Sequence, residues 1–160
     1  MKPNKSASKK WKKILKMFEY IFLLGIGGVM YCTVEILFRG FTDPSMFLVG
    51  GICFVSVGLI NEWYPWDMPL ISQMFISMCL ITAMEYIAGV VLNIILKLNV
   101  WDYSNLPYNL SGQICLIFSI GWFFLSLVGI VADDWIRYLM FDEEKPRYHI
   151  FYSHCEDLHR

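Results

Sequence analysis

The sequence predicts an all-α membrane protein, a bundle of four transmembrane helices with both termini in the cytoplasm. Three observations carry this expectation. Of 160 residues, 57% are apolar and only 17% charged, where an ordinary soluble domain has roughly half its residues apolar and about a quarter charged. The apolar residues gather into four long runs, which is the pattern of bilayer spans. Lysine and arginine collect at the two ends of the chain and are sparse between the runs. At this length one domain is the default. It is read as a lysine-rich cytoplasmic start over 1–16, a transmembrane domain over 17–132 and a cytoplasmic tail over 133–160.

Span one is expected over 17–38, MFEYIFLLGIGGVMYCTVEILF. Its apolar run is too long for a signal peptide and lacks an A-x-A-type cleavage site, so it reads as a retained span. Span two is expected over 46–62, span three from just after Pro69 to about Leu96, and span four over 112–132. Each is near the ~20 residues that cross a bilayer, with span two short and span three long enough to tilt.

Charge placement sets the expected orientation. Lys2, Lys5, Lys9, Lys10, Lys12, Lys13 and Lys16 precede span one, and Arg137, Lys145, Arg147 and Arg160 follow span four. The connections hold only Arg39 and Lys97. The positive-inside rule then puts both ends in the cytoplasm and the 97–111 connection outside. Next to a span, the lysine cluster reads as an anchor on anionic lipid rather than as a nucleic-acid arm. Trp11, Trp63, Trp66, Trp101, Tyr103 and Trp135 fall near span ends, where aromatic residues anchor at the interface.

Polar residues inside the runs mark the candidate site. Glu85, Gly89, Asn93 and Lys97 recur at i, i+4 and predict one helix face. Glu85 lies 12 residues from Lys97, ~18 Å along a helix, near mid-membrane. A carboxylate there costs a few kcal/mol unless it faces a partner or a wet cavity. Tyr31, Glu35 and Arg39 share the same spacing, and Glu35 and Arg39 are placed to pair. Gly51, Gly58 and Glu62 line span two. Gly112, Cys115, Ser119, Trp122, Ser126, Gly129 and Asp133 form a heptad-like packing seam in span four, with Trp122 as its one bulky filler. The connection NVWDYSNLPYNLSGQIC (99–115) adds Asp102 and Asn109, with Asp102 a candidate partner for Arg39. The expected cavity candidates are therefore Glu35, Arg39, Glu85, Asn93, Asp102 and Asn109.

Several chemistries find no support. The chain has no G-x-x-x-x-G-K-[ST], no G-x-S-x-G and no H-E-x-x-H. No histidine lies in a span, which removes an intramembrane histidine base or haem ligand. The five cysteines have no C-x-x-C spacing, and Cys32, Cys53, Cys79 and Cys115 read as small buried residues. His149, His154, Cys155 and His159 in the tail match no standard metal finger. No cofactor and no metal are expected.

MFLVGGICFVSVGLINE (46–62), ITAMEYIAGVVLN (81–93), NVWDYSNLPYNLSGQICLIFS (99–119), DDWIRYLMFDEEKP (133–146) and LFRGFTDPSMF (37–47) carry a resemblance. The chain from about Glu35 to Pro146 resembles bacterial membrane proteins of the ABC-transporter permease type, the CmpB-like or type IV family. The W-D-Y-S…P-x-N…G-Q-I-C block is its most specific part. The resemblance implies an integral membrane protein of about four spans and a transport role. A permease of that kind needs a separate ATPase subunit, and four helices enclose enough pathway only as a homo-oligomer. The connection EWYPWDMP (62–69), with Pro65 and Pro69, is too short for a coupling helix of ordinary length.

The expected function is thus a small permease or transport component with a polar intramembrane cavity near the outer face. Two other classes compete with it. One is a membrane-embedded enzyme acting on a lipid or isoprenoid, with Glu85 as proton donor and Asp102 as base or charge stabiliser. The other is a non-catalytic assembly partner in which every polar residue serves packing.

Overall fold

Long unbroken apolar runs with few helix breakers form long helices, and the computed structural model has four. It describes the backbone of residues 5–63 and 68–150 and the side chains of 11–61 and 68–150. Helix α1 runs over Lys5–Arg39, α2 over Pro44–Trp63, α3 over Leu70–Gly89 and α4 over Leu116–Phe141. A π-helical stretch, Val90–Ile95, continues α3. All four are long and apolar enough to cross a membrane, so this is a four-span membrane protein. α1 has 35 residues, or ~52 Å, so the helix that crosses the ~30 Å hydrocarbon core also takes in much of the lysine-rich start. Trp66, at a position expected to anchor at the interface, lies outside the described residues, as do Lys2, His154, Cys155, His159 and Arg160; for Glu62 and Trp63 only the backbone is described.

The fold divides into two compact units, Met1–Val55 and Ser56–Arg160, and the division falls within α2. In the first unit, α1 ends where the Gly40 amide donates to the Ile36 carbonyl at 2.9 Å with Gly40 at φ 77°. Asp43 then caps α2, its Oδ1 accepting from the Ser45 amide at 2.9 Å and from the Ser45 hydroxyl at 2.5 Å. The helices pack closely because glycine faces backbone. A Cβ at Gly28 would meet the Phe47 carbonyl oxygen at 2.5 Å, and one at Gly51 would collide with that of Leu24. Small residues permit this approach between membrane helices.

The second unit is built on α3 and α4. Its core is Val57, Met74 and Ile130, with Leu70, Ile81, Phe123 and Tyr148 packed around it. The Ser126 hydroxyl donates to the carbonyls of Phe123 at 2.7 Å and Met74 at 3.4 Å, joining α4 to α3. Between them the connection folds back as a short antiparallel hairpin, β1 (Asn109–Leu110) against β2 (Ile114–Cys115).

The structure departs from the sequence-based expectation at three places. Span four does not begin at Gly112: that residue sits in the hairpin turn at φ 68°, and α4 starts at Leu116. Nor does it stop at 132, since α4 runs on to Phe141, where Asp142 turns left-handed at φ 57°. Lys97 does not extend the Glu85 face. The wider π-helical turns shift the register after Gly89, and Lys97 follows the helix at φ 55°.

Candidate functional site

Glu85 lies on α3 with 6% of its surface exposed. Its two oxygens are held by two different elements. The Trp122 indole Nε1, from α4, donates to Oε2 at 2.8 Å, and the Tyr103 hydroxyl, from the connection, donates to Oε1 at 3.1 Å. Both donors are neutral. Tyr103 also stacks on Phe118 of α4, with ring centroids 4.7 Å apart. Trp122 is therefore more than the filler of a packing seam: its indole satisfies a buried acid, which the spacing of span four alone does not reveal.

Next to Glu85 on α3 the connection is pinned by a chain of amides. Asn93 Nδ2 donates to Gln113 Oε1 at 2.9 Å, and Asn93 Oδ1 accepts from the Val100 amide at 2.7 Å. Gln113 lies against Gly89, where a Cβ would meet its Oε1 at 2.6 Å. The Trp101 indole donates to the Gln113 carbonyl at 2.9 Å. Trp101 is 7% exposed, so it is buried in its own unit rather than standing as an interface anchor. Tyr108, at 83% exposed, is free to take that role. Sequence reasoning named Asn93 and missed Gln113, whose glutamine side chain is unremarkable until the hairpin folds it back onto Gly89.

The remaining loop candidates have local tasks. Asp102 accepts from the Ser104 amide at 2.8 Å and from its hydroxyl at 2.5 Å. The Ser104 hydroxyl, then its amide, hold the Asp102 carboxyl below its usual range. Asn109 donates to the carbonyls of Leu106 at 2.7 Å and Ser104 at 3.2 Å, and accepts from the Gly112 amide at 3.1 Å. These bonds build turns.

Glu35 and Arg39 belong to the first unit. Arg39 Nη1 lies 2.9 Å from Glu35 Oε1, the expected i, i+4 pair, and the Thr42 hydroxyl donates to Oε2 at 2.5 Å. Glu35 is 6% exposed. Glu85, Asn93, Asp102 and Asn109 belong to the second unit, and of these four Glu85 alone accepts from side chains of two other segments.

A second buried polar group sits toward the other end of α4. Asp133, Asp134 and Arg137 are all below 5% exposed. Arg137 Nε lies 2.6 Å from Asp133 Oδ2. Asn61 Nδ2 donates to both oxygens of Asp134 at 2.9 Å, and the Tyr148 hydroxyl donates to Oδ2 at 3.0 Å. Burial, then the Asp134 carboxylate, pushes the Tyr148 hydroxyl well above its usual range. The Leu70 amide donates to the His149 carbonyl at 2.8 Å, so the segment after α4 also caps α3. The signal in the sequence is Asp133 and Arg137 at i, i+4; Asp133 is expected in the packing seam and Arg137 among the charges after span four, and neither expectation joins the two.

A family model described as "Putative ABC-transporter type IV" matches residues 15–152. No curated protein and no solved structure matches the chain.

Proposed function

Because the chain belongs to the "Putative ABC-transporter type IV" family, we propose that it is the membrane subunit of a transport system, with Glu85 as its working polar group. The observation that carries this reading is the burial of Glu85 in α3 between two neutral donors. An intramembrane carboxylate is costly, and a span keeps one chiefly where a pathway or relay uses it. The Lys and Arg residues before α1 and after α4 support cytoplasmic termini, and in that orientation the hairpin is on the outer side and the Asp133 group on the inner side. Four helices enclose little space, so the subunit works as an oligomer alongside a separate ATPase.

The test is purification of the tagged full chain from its native membranes in mild detergent, followed by mass spectrometry. A stoichiometric partner carrying a P-loop is the expected result. Recovery of a folded protein without any nucleotide-binding partner, with or without added nucleotide, would remove the ATP-driven reading.

One set of observations favours a second reading, that of an assembly partner. Asp102, Asn93 and Asn109 are all occupied in shaping the connection, as expected if polarity there serves folding alone. The two readings part at Glu85. Full biological activity of a folded Glu85→Gln variant supports the assembly partner.

A further inference from the structure

We propose that the Glu85 site recognises a hydrophobic organic cation, a charged centre carried on apolar groups. The inference rests on the transport reading and names its substrate class. Glu85 is fifteen residues after Leu70 and ten before Ile95, roughly 22 Å and 15 Å along an ideal helix. A ligand meeting it must therefore enter apolar surroundings. Trp122 and Tyr103 supply hydrogen bonds but no positive charge, so among the described residues no cation is bonded to this acid. A cation supplies the counter-charge that the ionised form of a buried carboxyl requires.

The neighbours select the kind of cation. Tyr103 and Trp122 bond the carboxylate, and Tyr103 stacks on Phe118 with ring centroids 4.7 Å apart. Aromatic faces attract poorly hydrated cations. A small metal ion needs several oxygen, nitrogen or sulfur ligands, and among the described residues no group of three or more His, Cys, Asp or Glu could hold one. Glu85 and Trp122 are fixed on helices, whereas Tyr103 belongs to the connection between α3 and α4. Tyr103 is thus the partner a ligand displaces from Oε1 without moving a helix, while Trp122 keeps Oε2 oriented.

The probe is tetraphenylphosphonium, measured by equilibrium dialysis against the purified full-length protein. Saturable binding is expected, weakened at least ~tenfold, one ordinary ion contact, in Glu85→Gln. Glu85→Asp, which keeps the charge, retains measurable binding, and size-exclusion profiles establish that both variants fold. Neutral triphenylphosphine oxide does not displace the probe. Absence of saturable binding by the folded wild type, equal binding by Glu85→Gln, or displacement by the neutral analogue overturns the proposal. Copurification of an ATPase without probe binding leaves the transport reading standing and removes the cation class. Probe binding without an ATPase keeps the site and removes the ATP-driven reading.

Discussion

Gly58 shows how single positions decide this fold. A Cβ there would collide with the Asp133 carboxylate, which is wholly buried and paired with Arg137. Overpacking ordinarily costs about 1–3 kcal/mol, and here the displaced atoms belong to a buried ion pair whose disruption adds to that. Gly58→Ala is therefore expected to lower the unfolding temperature in detergent clearly, while Gly129→Ala, with open space at its Cβ, leaves it unchanged. Asp43 offers a milder case with a pH signature. The Ser45 hydroxyl, then the Ser45 amide, hold its carboxyl below the ordinary 3.8. A depressed carboxyl stabilises the fold above its unfolded value and loses that contribution as pH falls through the folded one. Asp43→Ala should cost about 1 kcal/mol at neutral pH, as other lost caps do. The difference from wild type should vanish below the folded value and stay flat above about pH 5, in denaturation curves taken across pH.

At the scale of elements, the hairpin between α3 and α4 is the part that sequence reading reached least. Gly112 holds φ 68°, and a Cβ would strike the Ser104 hydroxyl and come within 2.7 Å of Asp102 Oδ1. Gly112→Ala is expected to destabilise by at least ~1 kcal/mol, the order of a left-handed penalty. It should also loosen the connection, read as faster amide exchange at Tyr103 and Gln113. The spans were legible because long apolar runs need no tertiary information. Strands of two residues have no periodicity to read, and a π-helical stretch looks like helix until its register is seen. The same limit applies at the site. Glu85 stood out as a charge in a run, but its partners did not, since Trp122 and Tyr103 read equally well as packing and as interface anchors. Arg137 reads in the sequence as a tail charge that sets orientation, whereas in the fold it is half of a buried ion pair within α4.

For the whole molecule, charge sets the expected placement in the bilayer. Lysines before α1 and basic residues after α4 predict cytoplasmic ends. Fluorescent-protein fusion at the C-terminus should therefore glow. Alkaline phosphatase fused after Tyr108 should be active, and after Arg160 inactive. The reverse pattern would put the hairpin in the cytoplasm and remove it from any external entrance. ATP hydrolysis by the purified complex in nanodiscs, wild type against Glu85→Gln, tests directly whether transport works through Glu85. The expected result is an assembled variant complex whose substrate-stimulated turnover falls several-fold. An assembled Glu85→Gln complex hydrolysing ATP with undiminished stimulation would contradict it.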